Sequence, residues 1–500
     1  MRTHKNAGAA ISFFLTILLL TWGHLEGSPI LCSSWHTVQL PGYSGSSGWP
    51  GATDTGAPRV TGWEVVWTGR VPNPVWGTVA EIFFFDGSSS RQLSTCQQRL
   101  GAFGGYIFDA TYIADSNNVV WIEDDGQNYD VFGYDTAKNK GPTQLTFTAD
   151  AHLKRISDFH DPYVVVECMD QWIGGPWVPT YVDIHLYDVK KNKSVVLNPR
   201  THNLGAQVSN YRVVWQAYNS FGGSMDIFLH DILPGSTVQL TNWPTWLHYS
   251  PSLSDPYLAW WGFEPTLNQY KIFFSHLKSI LSWSDIATSN ALQQQQLMVR
   301  VSVPHVIWAW NDDTEGYGIY HYRYSPPFST TTRIWPMTPH EPGMCEWMDA
   351  SGSYAAFSWN KGGEMHEIYV YDLVNGGPPQ LATMHFGPSP VFVQVSSRQV
   401  GGINAPVVVW ESYNPGSMVN EGFISMRPVC DPQPKADFNS DCTVDLLDYV
   451  FMCSHWGPGS AADLTGDGRT DFADMAILFS EWLNCAIQPP IFRGSGATFP

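Results

Sequence analysis

Positive charge is scarce in this chain. Its 500 residues include 26 Lys and Arg against 45 Asp and Glu, a formal net charge of −19. That balance argues against nucleic acid or an anionic membrane as the main partner. Charged residues of all kinds reach only 14%, where a soluble domain carries about 25%, and a coiled coil, which needs Glu, Lys, Ala and Leu in quantity, is excluded. There is no Cys-x-x-Cys pair, which sets a zinc site aside. There is no apolar run of the roughly 20 residues that a membrane helix needs. Gly-x-Ser-x-Gly, His-Glu-x-x-His and the phosphate loop are also missing, so no hydrolase, metalloprotease or nucleotide motif points to a reaction. What is abundant is aromatic: 14% of the chain, with 23 tryptophans, far too much for a disordered protein. With 44 glycines and 35 prolines to supply turns, the composition predicts an all-β body, and the length predicts more than one domain.

Residues 1–27 read as a secretory signal: Arg2 and Lys5, then an apolar run from Ile11 to Trp22, then a small-residue exit at Gly27. Leu31 stands before Cys32 where a lipid-anchored start would have a small residue. The expectation is a secreted or cell-surface protein, with the periplasm as the other compartment. Residues 28–58 read as an N-terminal extension. Eight cysteines in an exported chain permit disulfides, and four of them (Cys430, Cys442, Cys453 and Cys485) crowd near the C-terminus.

One phrase recurs through the middle. Each unit starts with an apolar first strand that ends in an aromatic residue, as in Val65-Val66-Trp67, Val119-Val120-Trp121, Val213-Val214-Trp215 and Val408-Val409-Trp410. A turn follows, then a strand bounded by acids: Glu81 to Asp86, Asp130 to Asp135, Asp183 to Asp188, Asp226 to Asp231, Glu367 to Asp372. Gln92-Leu93, Gln144-Leu145-Thr146, Gln239-Leu240-Thr241 and Gln380-Leu381 close the units. Weaker copies centre on Lys271, Gly318 and Gly422. From Glu81 to Gly422 the steps are 49, 53, 43, 45, 47, 49 and 55 residues. This spacing predicts propeller blades, seven or eight with eight the better count. The tryptophans should fill the gaps between blades, and the acids at strand ends, Asp130 and Asp226 among them, should satisfy backbone donors in turns. No sign of strand exchange between the first and last units is legible. Over residues 59–428 the repeat resembles the TolB-like propeller family, through the Val-Val-Trp strand, the Asp-Ile-aromatic-x-aromatic-Asp strand and the Gln-Leu-Thr close; the family's Ser-Pro-Asp-Gly turn is absent.

After Pro428, Pro432 and Pro434 two segments align at an offset of 26. The first places oxygen-bearing side chains at Asp437, Asn439, Asp441, Asp445 and Asp448; the second at Asp463, Thr465, Asp467, Asp471 and Asp474. The backbone carbonyls of Thr443 and Arg469 fall at position 7 of each loop. A twelve-residue loop with oxygens at these positions is what Ca2+ requires, so two calcium sites are expected. Each loop leads into an amphipathic helix, with Tyr449, Met452, Cys453 and Trp456 on one face, and Met475, Leu478, Phe479 and Trp482 on the other copy. Proline and glycine before each loop preclude the entering helix of an ordinary EF-hand pair. Loop and helix, twice, over residues 429–486, resembles the type I dockerin domain. The resemblance implies calcium-dependent folding and docking onto a cohesin-like protein partner. Leu446, Leu447, Phe472 and Ala473 occupy the positions that choose the partner in that family, and they are apolar where the family has small hydroxyl residues; packing into the module's own core, or against the propeller, is their other use. Residues 487–500 form a tail.

No catalytic residue is assigned. His160, Asp161, His202, His248, His305, His340 and His385 lie scattered. Trp172, Trp177, Trp243 and Trp246 lie in loops where flat rings could stack on sugars; blade packing is their other use. The expected function is that of a non-catalytic binding or scaffold propeller tethered by its calcium module. The alternative is a polysaccharide lyase delivered by that module.

Overall fold

The computed structural model describes the strands and most turns between residues 58 and 427, two short stretches at 30–31 and 35–40, and residues 429–481 apart from 431–434, 439–443, 445 and 460. Residues 1–29, 32–34, 41–57 and 482–500 lie outside it, as do loops that include 95–101, 108–111, 147–152, 170–181, 219–223, 290–296 and 387–391. The chain divides into two compact units. One comprises Thr37–Ser397 and Val407–Ser425; the other comprises Met426–Pro500 with Met1–His36 and Arg398–Pro406.

The first unit is an eight-bladed β-propeller. Among the described residues there are eight antiparallel four-stranded sheets, each built from strands adjacent in sequence except the last. Blade one runs Arg59–Thr61, Glu64–Asn73, Gly77–Phe85, Ser90–Gln92. The Val-Val-Trp phrase is therefore the second strand of a blade, not its first. The acid-bounded phrase is the third, and all eight predicted centres fall on third strands. The first strands went unpredicted. They line the ring's inner side, where the first strands of successive blades touch one another.

An inner strand has one ladder partner in its own blade and would expose a row of N–H groups on the other edge. Here the preceding blade covers it. The Val208 N–H donates to Asp158, Leu253 N–H to Gln207, Val301 N–H to Ser252, and Val395 N–H to Asp349, all at 2.9–3.0 Å. Each acceptor sits five residues before the second strand of its blade. The same device closes the circle, since Val60 and Gly62 of blade one donate to Gln394 and Ser396 of blade eight.

Blade eight, Val393–Val400, Ile403–Asn414 and Val419–Met426, takes its fourth strand from the other end of the chain. His36–Gln39 lies beside Val419–Met426. The Leu40 N–H donates to the Gly422 carbonyl at 2.8 Å, and the Thr37 and Ser425 hydroxyls meet at 2.8 Å. Part of the predicted N-terminal extension is thus a blade strand, and the ring is closed by the strand exchange that the sequence did not reveal.

The core lies between blades. Trp67, Trp121, Trp215, Trp260, Trp308 and Trp359 have no exposed surface, and Trp410 almost none. Most stack on the residue opposite in the third strand: Trp67 on Phe83, Trp121 on Phe132, Trp215 on Phe228, Trp260 on Phe273, Trp308 on Tyr320, Trp410 on Phe423.

The acids that open third strands do not cap turns. The Asp130 carboxylate accepts from Gln144 and Thr146, and the Thr146 hydroxyl in turn accepts from the Val131 N–H. Asp226, Gln239, Thr241 and Ile227 repeat the clasp one blade further on. Hence the pairing in sequence of an acid with Gln-Leu-Thr: it ties the third strand to the fourth. The acids that end third strands are the turn formers. Asp86, Asp135, Asp188 and Asp372 each accept a backbone N–H from the following turn.

Candidate functional site

Two regions hold the residues singled out above. The first is the C-terminal pair of acidic loops. Helix α1 (Leu446–Ser454) follows the first loop and helix α2 (Phe472–Ser480) the second. Their core is built from residues 26 apart: Ala436 with Ala462, Met452 with Leu478, and at its margin Phe438 with Leu464 and Tyr449 with Met475. The duplication extends to the carboxylates. Asp448, fully buried, accepts from the Phe438 N–H at 2.7 Å, and Asp474, fully buried, accepts from Leu464 at 2.8 Å and Thr465 at 2.9 Å.

In the second loop Asp463 accepts from the N–H groups of Gly466, Asp467 and Gly468, which hold its carboxyl below the ordinary range although burial opposes them. Gly466 and Gly468 have φ +79° and +86°, so the turn needs residues without Cβ strain. Asp471 caps α2 in a reciprocal capping box with Asp474. Asp467, Thr465 and the Arg469 residue stand exposed. The donor set is hard oxygen throughout, as calcium requires, and in this structure backbone N–H groups engage the Asp463 and Asp474 carboxylates. Among the described residues no three His, Cys, Asp or Glu side chains converge as a metal-holding group. Asn439, Asp441, Thr443 and Asp445 lie outside the described residues, as do Cys442 and Trp482; Asp437 is described and buried.

Leu446, Leu447 and Phe472 are exposed to 63%, 62% and 65%, and Ala473 is exposed as well. They do not enter the core of their own unit, which corrects the expectation that they pack into it. Cys453 is exposed with a free thiol, and Cys345, in the propeller, is a buried free thiol.

The second region is on blade five. Trp243 and Trp246, half-buried, meet edge to face at 5.7 Å and both pack on Phe273; Trp243 also meets Trp283, and Trp246 stacks on His248. Lys271 lies 5.5 Å from the Trp246 ring. A Cβ on Gly262 would come within 2.7 Å of Phe273 and 3.1 Å of Trp246, so glycine leaves the room these rings occupy. Both rings are thus engaged in this aromatic cluster while each stays half-buried. Trp172 and Trp177 lie outside the described residues.

The histidines do not assemble. His160 pairs with Asp115 at 3.5 Å. His248 is buried and accepts the Trp260 indole N–H at 3.1 Å, which places its own proton on Nε2. His305 joins His321 at 2.9 Å and, through it, the Tyr371 hydroxyl of the next blade at 3.2 Å. Burial lowers His248, His305 and His321 to about 4, so all three are neutral near pH 7. His321 and Tyr371 were not foreseen; their links join strands of neighbouring blades that no sequence spacing relates. His202 and His340 lie outside the described residues, and His385 is described in backbone only.

No protein family matches the sequence, and a search of curated proteins finds no match. Solved structures do match in shape. A structure from a study of two prolyl endopeptidases is 11% identical, with a TM-score of 0.41 over 72% of this chain and 55% of that one. TolB from Acinetobacter baumannii is 11% identical, with a TM-score of 0.31 over 63% and 79%. The β-propeller domain of the trilobed protease from Pyrococcus furiosus is 8% identical, with a TM-score of 0.38 over 65% and 97%. The likeness is one of fold. This chain spans little more than half of the prolyl endopeptidase, and the similarity carries no argument about activity.

Proposed function

We propose that this chain is an exported, non-catalytic recognition or scaffold protein. Its propeller takes a polysaccharide ligand, and its C-terminal module is dockerin-like, a calcium-dependent tether to a protein partner. The observation that carries the reading is the duplication in the tail. Residues 26 apart share donor chemistry, core positions and the same carboxylate-to-backbone bond, and chance acidic turns have no reason to share all three.

Asp437, Asn439, Asp441, Asp445 and Asp448 with the Thr443 carbonyl would hold one ion; Asp463, Thr465, Asp467, Asp471 and Asp474 with the Arg469 carbonyl would hold the other. Bound calcium neutralises carboxylates that otherwise repel one another. The chain's own residues do the rest. Asp448 and Asp474 tie each helix start to the beginning of its loop, and Leu446, Leu447, Phe472 and Ala473 form an apolar surface on the outer side. Such a surface suits an apolar partner patch better than a hydroxyl-reading cohesin.

Incubation of the full chain with a panel of acidic and neutral polysaccharides separates a binder from a lyase. The reading predicts retention of a polysaccharide without shortening of its chains. Release of unsaturated sugar products would replace it with the lyase.

A further inference from the structure

Five of the chain's eleven lysines lie in two turns. Lys138 and Lys140 follow the third strand of blade two (Tyr129–Asp135). Lys190, Lys191 and Lys193 follow the third strand of blade three (Val182–Asp188). The two turns align at an offset of 53: an acid (Asp135, Asp188), then Lys-Asn-Lys beginning three positions on. The corresponding turns after Asp86, Asp231 and Asp372 contain no lysine. In a protein of net charge −19 this is a local reversal of sign.

Between the two turns lies a cleft of about 390 Å3, lined by Lys138, Lys140 and Lys190, by the carboxylates Asp135 and Asp161, and by apolar residues that include Val119, Leu145 and Val189. Lys138 pairs with Asp135 at 2.6 Å, Lys190 with Asp161 at 2.6 Å and Lys191 with Asp188 at 2.8 Å. Lys140 and Lys193 have no carboxylate partner among the described residues. The blade-two turn is held rigidly. Asn139, at φ +52°, accepts on its side-chain oxygen from Arg91 of blade one at 2.6 Å and from the Tyr134 hydroxyl, while the Lys138 N–H donates to Asp135 at 2.9 Å.

We infer that this cleft and its lysine turns bind an acidic polysaccharide, with ammonium groups against carboxylates or sulfates and the apolar lining residues against the carbon face of a sugar. Exposed lysine heads suit separated point charges along a chain. A lining of apolar and polar groups together is what a sugar presents in reverse. Nucleic acid fits less well. Tyr134, the aromatic residue lining the cleft, is buried and engaged with Asn139 and Arg91, so no ring is offered for stacking bases. The overall negative charge also repels a long, dense polyanion.

The inference rests on the polysaccharide half of the reading above and gives it a place; it does not involve the acidic loops. The test is therefore run in chelator, on the full chain, with polygalacturonate, dextran sulfate, neutral dextran and single-stranded DNA as probes. The wild-type chain should bind at least one of the two acidic polysaccharides, more weakly as salt rises, and leave neutral dextran unbound. K138Q/K140Q/K193Q, which leaves Lys190 and Lys191 on Asp161 and Asp188, should weaken binding about tenfold, from three exposed charge contacts. K278Q/K435Q, a control for overall charge, should bind as wild type. Circular dichroism and the unfolding midpoint show that each variant is folded. No binding to either acidic polysaccharide, equal binding by the triple variant, equal loss in the control, or tighter binding to DNA would each overturn the inference.

Discussion

The buried histidines give the protein a distinct response to acid. His248, His305 and His321 ionise near 6.5 when exposed and at about 4 in the fold, because burial penalises their charged form. Between those values the unfolded chain binds more protons than the folded one, so these groups destabilise the fold as pH drops from about 6.5 to about 4. Asp158 works in the other direction. Burial raises it to about 6 despite the N–H groups of Val208 and Phe159, so its contribution is complete below the ordinary aspartate value and is lost as pH rises through about 6. Burial also raises Glu64, Asp226 and Asp349 and lowers His230, so the histidine contribution is isolated by substitution. His248→Asn keeps an acceptor for Trp260 but does not titrate. Urea unfolding at a series of pH values should show the acid-induced loss reduced by roughly 2–3 kcal/mol. An unchanged slope would mean that His248 is charged in the fold or reached by water.

At the scale of elements, what was legible in the sequence and what was not follow from how each strand is satisfied. Second and third strands are covered by blades on both faces, so they must be apolar and aromatic, and Trp67, Phe83 and their counterparts recur visibly. The Asp130-to-Thr146 clasp needs those residue types at that spacing, and it too repeats as text. An inner strand needs only some acceptor on the blade before it, and Asp158, Gln207, Ser252, Asp349 and Gln394 serve equally well. Interchangeable residues leave no phrase to recognise. The closing strand His36–Gln39 is illegible for another reason: four residues far from their partner have no neighbouring repeat to mark them. That strand makes a direct prediction. A chain beginning at Pro41 leaves Val419–Met426 as an open sheet edge and removes buried Leu40. Its unfolding midpoint should fall by about 5 °C or more, it should associate as concentration rises, and a peptide of residues 34–40 should reverse both effects. A midpoint equal to that of the full chain would mean that the strand is not part of the ring's stability.

At the scale of the whole molecule, a rigid ring and a small duplicated module meet different physical needs. The ring buries eight tryptophans on its second strands, Trp310 beside Trp308 among them. The module has a core of a few side chains, and the acidic residues of its two loops repel one another unless cations intervene. The acidic loops were legible as a duplication because their residues recur at a fixed offset of 26. The candidate site was not legible where three-dimensional neighbourhood decides, as in the way Trp243 and Trp246 are engaged or the two lysine turns face one cleft. The account stands or falls on the ions. Calorimetric titration of the chelated full chain with calcium, followed in parallel by the amide signals of Gly466 and Gly468, should give two bound ions, with both glycine signals shifting as the second loop fills. Asp463→Ala with Asp467→Ala should leave one ion and abolish those shifts. No heat and unmoved amide signals at millimolar calcium would contradict the tether, leaving the propeller without one.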